Sequence, residues 1–240
     1  TYTTGKNESN PQWSPTGGWF VFASNREAPA SSANQQQLYV MSPDGGEARR
    51  ITAAREGVST YAFTKDGSWL VYRSGKSGEE QLYALASSAV SSGKPADSLS
   101  AITLTKQPAG VDTWRIASDG KSVVFLSSDT VDTDERKRRE ARFTVNVRNA
   151  ETPSVSLWSV PLPTASATMP TAATPPAATR LTRDAQLAVT NFTLSPDSRY
   201  VGFTATPYDR YKRNITEEGI YADVYLLDRQ DGRVERLTQN

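Results

Sequence analysis

Leu194-Ser195-Pro196-Asp197-Ser198-Arg199-Tyr200-Val201-Gly202-Phe203 reads as a short strand, a tight turn and a second strand rich in aromatic and β-branched residues. The same phrase stands at Trp13-Ser14-Pro15-Thr16-Gly17-Gly18-Trp19-Phe20-Val21-Phe22. It returns at Phe63-Thr64-Lys65-Asp66-Gly67-Ser68-Trp69-Leu70-Val71-Tyr72 and at Ile116-Ala117-Ser118-Asp119-Gly120-Lys121-Ser122-Val123-Val124-Phe125. The central Asp-Gly or Pro-Asp supplies the turn, since Asp accepts from nearby amides and Gly tolerates positive φ. Gly17, Gly67, Gly120 and Ser198 occupy the same place in the four copies, at intervals of 50, 53 and 78 residues. The long third interval marks an insertion.

Each copy continues in one order. A third strand opens on Leu38-Tyr39, Leu82-Tyr83, Leu157-Trp158 and Val224-Tyr225. A fourth ends on Arg50-Ile51-Thr52, Thr103-Leu104-Thr105, Arg180-Leu181-Thr182 and Arg236-Leu237-Thr238, with Asp44-Gly45 and Asp231-Gly232 as turns in the outer copies. Four strands per unit at a near-constant period is the pattern of propeller blades. Runs such as Trp69-Leu70-Val71-Tyr72 are apolar throughout, so both sheet faces must be covered. A β-sandwich is the rival architecture, and regular four-strand units argue against it. The expectation is an all-β chain: a β-propeller segment of four four-stranded antiparallel blades, part of a larger propeller of seven or eight. The blades are expected at about 10–52, 58–105, 111–182 and 189–238, together forming one segment over 1–240.

The third blade is interrupted. Asp129, Asp132, Asp134 and Glu135 precede Arg136-Lys137-Arg138-Arg139, an order that suits a short exposed helix aligned with its macrodipole. Phe143-Thr144-Val145-Asn146-Val147 then alternates like an edge strand, giving a helical and hairpin insertion over 129–150. Ca²⁺ binding by the acidic residues lacks the glycine and terminal glutamate of an EF-hand loop. Binding of nucleic acid by the basic quartet is opposed by the adjacent acids. Pro161 to Thr179 is a Pro/Ala/Thr tract without charge or period, read as a long blade loop. A shorter Ser-rich loop runs from Ser87 to Ser100.

Composition narrows the chemistry. The 27 basic and 26 acidic residues leave a net charge of +1, so no global field draws the chain to nucleic acid or an anionic membrane. No apolar run reaches the length of a membrane span. Thr1 to Asn10 hold no apolar signal core. The chain has no histidine and no cysteine, which removes Ser-His-Asp and Cys-His catalysis, imidazole and thiolate metal sites, and disulfides. No Gly-x-Ser-x-Gly elbow occurs, and Gly75-Lys76-Ser77 lacks both the upstream glycine and the following helix of a phosphate loop. No catalytic residue, metal site or cofactor is therefore expected in the chain itself. Asn7, Asn191 and Asn214 begin Asn-x-Ser/Thr triplets, with Asn191 inside an expected strand. Paired carboxylates stand at Glu79-Glu80 and Glu217-Glu218, where they can grip an ammonium group or simply cap a solvated hairpin beside Gly78 and Gly219.

The phrase Ser-Pro-Asp-Ser-Arg-Tyr-Val-Gly-Phe, followed by Val-Tyr-Leu-Leu-Asp and Arg-Leu-Thr, resembles the propeller repeat of two groups. One is the prolyl oligopeptidase family of serine peptidases, with its dipeptidyl and acylaminoacyl peptidases; the other is the periplasmic Tol-system propeller protein. The charged insertion leading into Phe143–Val147 and Ser156–Val160 is similar to a segment of acylaminoacyl-peptidase-like propellers. The first resemblance implies a non-catalytic propeller that gates peptides for an α/β-hydrolase domain carrying the Ser-Asp-His triad, in a periplasmic or secreted protein. The second implies a scaffold that binds another protein. An independent carboxylate enzyme is a third reading. By resemblance to dipeptidyl peptidases, Glu217 and Glu218 would hold the substrate N-terminus, although the aromatic context of that motif is lacking. Four blades and no hydrolase domain imply a portion of a longer protein. The outer faces of blades one and four are then expected to be exposed and apolar, paired with a second copy or covered by further blades.

Overall fold

The computed structural model describes residues 6–28, 35–130, 133–143, 153–164, 174–183, 186–211 and 221–239. The chain forms four four-stranded antiparallel sheets, each a meander in chain order. The first joins β1 (Glu8–Trp13), β2 (Phe20–Ser24), β3 (Gln37–Ser42) and β4 (Gly45–Arg50). The second joins β5 (Thr60–Phe63), β6 (Trp69–Ser74), β7 (Gln81–Ala86) and β8 (Ile102–Thr103). The third holds β9 (Trp114–Ile116), β10 (Ser122–Ser128), β11 (Val155–Pro161) and β12 (Thr179–Arg180). The fourth holds β13 (Leu187–Leu194), β14 (Tyr200–Pro207), β15 (Asp223–Asp228) and β16 (Val234–Arg236). These are the blades of a partial β-propeller.

One turn closes the first hairpin of every sheet. Ser14, Thr64, Ala117 and Ser195 donate their amides to the carbonyls of Trp19, Trp69, Ser122 and Tyr200 at 2.9–3.0 Å. Their own carbonyls accept from Gly17, Gly67, Gly120 and Ser198 at 2.7–2.9 Å. That last residue is left-handed in all four, with φ of +75°, +72°, +67° and +57°. Ser198 carries the strain of a side chain there and is held by it, its Oγ accepting from the Ser118 amide at 2.7 Å. The aspartates act as the repeat suggests: Asp66, Asp119 and Asp197 each accept from the amide two residues on, at 2.9–3.1 Å.

The terminal threonines close the other edge. Two-residue fourth strands such as β8 and β12 pair weakly alone, and a side chain extends them. Thr52, Thr105, Thr182 and Thr238 Oγ1 accept from the amides of Leu38, Leu82, Leu157 and Val224 at 2.8–3.1 Å. Three of these hydroxyls donate onward at 2.8–3.0 Å, to Gln37, Gln81 and Asp223. In the third sheet Arg180 takes that place, bonding Ser156 Oγ and Asp129. The recurring threonine is thus a hydrogen-bonding device, satisfying in the first three sheets an amide that is otherwise buried.

The sheets group into two compact units, one with the first two sheets and one with the last two. In the first, Val21, Ala23, Leu38, Val40 and Ile51 of sheet one meet Tyr61, Leu70, Tyr72 and Leu85 of sheet two in one apolar layer. Each fully buried Leu or Val there contributes about 1.5–3 kcal/mol. Tyr61 also ties the first strands together, its hydroxyl donating to the Asn10 carbonyl while its carbonyl accepts from Gln12 at 3.0 Å. In the second unit Val124, Leu126 and Leu157 of sheet three meet Val201, Phe203, Ala205, Tyr225 and Leu227 of sheet four.

The Ser-rich stretch from Ser87 to Ser100 is more ordered than a loop reading implies. It forms α1 (Ser87–Ser91) and a 3-10 turn (Ala96–Ser98). Val90 is its anchor, buried in the first unit's core, and Arg49 donates to the Val90 and Lys94 carbonyls. The charged insertion contains α2 (Thr133–Glu140), and a third short helix, α3 (Tyr208–Tyr211), follows β14. The expected edge strand at 143–147 lies outside the described residues except for Phe143, which is exposed. The Pro/Ala/Thr tract begins and ends in strands, Pro161 closing β11 and Thr179 opening β12.

Candidate functional site

Glu217 and Glu218, the carboxylate pair singled out for substrate binding, lie outside the described residues. Glu79 and Glu80 sit in the β6–β7 hairpin, where Glu80 Oε2 accepts from the Gly78 amide at 2.7 Å. Gly75 begins the same hairpin with φ +142°, and a Cβ on it would stand 2.8 Å from Glu80 Cα. Lys76 to Glu79 form the turn, the Glu79 amide donating to the Lys76 carbonyl at 2.8 Å, and strand β7, not a helix, follows.

Among the described residues, a cleft in each unit presents side chains that could take a ligand. The first, of about 460 Å³, lies where the chain leaves sheet one and passes sheet two. Ile51, Leu85 and Leu99 form its apolar lining, with Arg55, Glu56 and Asp97 among the polar groups. Tyr72 and Tyr83 face it as a cross-strand pair with ring centroids 5.4 Å apart. Burial, and to a lesser extent the neighbouring Tyr83, raises the Tyr72 hydroxyl pKa well above that of free tyrosine, so it stays protonated. A cleft of this size and mixed lining suits one apolar side chain with a polar neighbour.

The second cleft, of about 450 Å³, lies among the turns of sheets three and four and is polar. Arg229 spans it, donating to the Ser198 carbonyl at 2.8 Å and Ser122 Oγ at 2.7 Å. Arg199 bonds Asp228 Oδ2 through Nε and Nη2, at 3.1 and 2.7 Å. The Arg199 guanidinium holds the Asp228 carboxyl below its ordinary range, and the Ser195 hydroxyl does the same for Asp197. Both carboxylates are ionised at neutral pH, so neither is a general acid. The cleft offers hydrogen bonds and fixed charge.

Among the described residues no three acidic side chains gather in a metal-holding cluster, and no helix is long and apolar enough to cross a membrane. Sequence reading missed both clefts, because each joins residues far apart in the chain. The one local hint was the Leu-Tyr pair, which places Tyr83 beside Tyr72 across β6 and β7.

No family model matches the chain. A stretch of 62 residues, 26% of the chain, is 44% identical to a Bacillus subtilis (strain 168) protein described as the uncharacterized peptidase YuxL, and covers 9% of it. Among solved structures, the chain is similar to the β-propeller domain of the Trilobed protease from Pyrococcus furiosus. There the identity is 10% and the TM-score 0.53, over 96% of this chain and 58% of that one. It is similar to Pyrococcus horikoshii acylaminoacyl peptidase at 11% identity and a TM-score of 0.56, over 99% of this chain and 33% of that one. TolB from Acinetobacter baumannii gives 17% identity and a TM-score of 0.51, over 98% and 44%. The chain thus spans less than two thirds of each of these proteins. The structural likenesses establish the propeller fold.

Proposed function

We propose that this chain is propeller structure of a prolyl-oligopeptidase-type serine peptidase, and that it gates or positions peptides for a hydrolase domain elsewhere in the parent protein. The observation that carries this reading is the 44% identity over 62 residues to a protein described as a peptidase. The chemistry is consistent with it. A chain without histidine has no imidazole to serve as the base of a Ser-Asp-His triad, so acyl transfer by that route must come from another domain. Rigid four-stranded sheets suit a filter, which excludes by size without reacting. A Tol-like scaffold that only binds protein is the alternative, and no observation favours it.

Glu217 and Glu218 are proposed to hold the ammonium of a peptide N-terminus. The reading frame beyond the Asn240 codon tests the main reading: it should encode Gly-x-Ser-x-Gly followed by Asp and His. Its absence from the whole gene would refute the peptidase. The double substitution E217Q/E218Q in the parent should raise KM for peptides with free N-termini by about 10–100-fold, the value of one or two charge-assisted bonds. N-acetylated peptides should be unaffected, and an equal loss on both would reject the pair as the anchor.

A further inference from the structure

Counterpart positions can be compared across the four sheets, because their strands follow one order. The third strand of each carries an aromatic residue, and in three sheets the fourth strand sets an arginine directly opposite it: Tyr39–Arg50, Trp158–Arg180 and Tyr225–Arg236. Each of these arginines is paired with a carboxylate, Arg50 with Glu27 at 2.8 Å, Arg180 with Asp129 at 2.7 Å and Arg236 with Asp223. In sheet one a further guanidinium, that of Arg26, stands 5.1 Å from the Phe22 ring centre and 4.7 Å from that of Tyr39. An aromatic pair on this face is thus a seat for a cation.

Sheet two departs from the pattern. The residue opposite Tyr83 is Thr103, which brings no charge. The cleft of about 460 Å³ opens on this same face, where Tyr72, Tyr83 and Leu85 line it with Ala101, two residues before Thr103. Glu56 and Asp97 bring carboxylates to it. Their nearest cations in the chain, Arg55 and Arg50, lie 3.9 Å away, at the limit of an ion pair, and both carboxylates reach solvent. Ile51 and Leu99 complete an apolar wall. The cleft therefore combines aromatic rings, acids and an apolar wall at the sheet position where the other three sheets place an arginine.

We infer that this cleft binds an arginine side chain of a peptide, the alkyl stem along Ile51, Leu85 and Leu99 and the guanidinium at the Tyr83 ring within reach of Glu56 and Asp97. Arginine suits it better than lysine, because a planar guanidinium both stacks on a ring and forks onto carboxylates. A peptide suits it better than the free amino acid, whose α-carboxylate would meet the same two acids. The inference does not rest on the peptidase reading, since binding and not turnover is read.

Titration of the 240-residue chain with acetyl-Ala-Arg-Ala-amide, followed by NMR at the Tyr72 and Tyr83 ring signals, tests it. A Kd of about 1 mM or tighter is expected, and the citrulline peptide, alike in shape but uncharged, should bind about 10-fold more weakly. Equal binding of the two, or unmoved ring signals at about 10 mM peptide, would overturn the inference. Free L-arginine should bind more weakly than the peptide; tighter binding would overturn the peptide as the source. E56Q/D97N should weaken the arginine peptide about 10-fold and leave the citrulline peptide unchanged, and an equal effect on both would reject the carboxylates. T103R supplies the chain's own arginine and should abolish peptide binding with an unchanged far-UV spectrum. A folded T103R that binds like the parent would overturn the site; if T103R unfolds, the citrulline and E56Q/D97N comparisons decide.

Discussion

Replacing the threonine that closes a blade by valine keeps its shape and removes one hydroxyl. In sheet one Thr52 Oγ1 accepts from the buried Leu38 amide at 2.8 Å and donates to Gln37 Oε1 at 2.8 Å. Valine cannot accept, so the Leu38 amide is left without a partner and without water. The unsatisfied donor costs about 1–3 kcal/mol and the lost bond to Gln37 about 0.5–1.5 kcal/mol, so a loss of about 2–3 kcal/mol is expected for T52V. With a urea m-value of about 2–3 kcal/mol/M, the unfolding midpoint should fall by about 1 M. Sheets three and four provide a control within one unit. Thr182 is buried and Thr238 is exposed, yet both accept from the equivalent amide, at 3.1 and 2.9 Å. T182V should be nearly as costly as T52V, while T238V, where water replaces the hydroxyl, should cost less than about 1 kcal/mol. Urea titrations of dilute chain, followed by far-UV circular dichroism, measure all three. Equal losses for T182V and T238V would refute burial as the source of the effect.

Three further outcomes are expected. G67A should lose about 1–2 kcal/mol from its left-handed φ, and more because the new Cβ would lie 2.9 Å from Thr16 Cγ2. Adding T16S should recover only the contact part, and no recovery in thermal melts would place that contact elsewhere. S198A should be worse than S198G by about 1 kcal/mol, since both lose the bond to the Ser118 amide and only glycine relaxes φ +57°. A urea series ranking alanine above glycine would contradict this. Burial, with the charge of nearby Glu27 second, raises the Tyr39 hydroxyl from 10.0 to about 12. A raised folded-state value means the stabilisation is complete below pH 10.0 and is lost as pH rises through about 12. Y39F removes the titrating hydroxyl and should flatten the alkaline loss. An unchanged alkaline limb would assign it to other tyrosines.

The strands were legible because their signals are local. A turn that needs a left-handed residue announces itself as Asp-Gly; that Ser198, at the place of Gly17, Gly67 and Gly120, is itself left-handed came only from the structure. The Thr at the end of each fourth strand was visible as a pattern, but its partner is an amide 14 to 25 residues away, so its purpose was not. Val90 hid in a run of serines because one apolar residue has no period; only the core it enters makes α1 a helix. The clefts and the Arg26 cover over Phe22 and Tyr39 depend on contacts that no local rule encodes. The carboxylate pair Glu217–Glu218 lies outside the described residues, and its role rests on experiment.

Peptide hydrolysis by the parent protein tests the central claim most directly. A series of peptides of increasing length should be cleaved with a sharp upper limit on size. Removing residues 1–240 together with any further blades should abolish that limit while the hydrolase still turns over the shortest substrates. A length limit unchanged by the deletion, or turnover of a peptide p-nitroanilide by the 240-residue chain alone, would contradict the account.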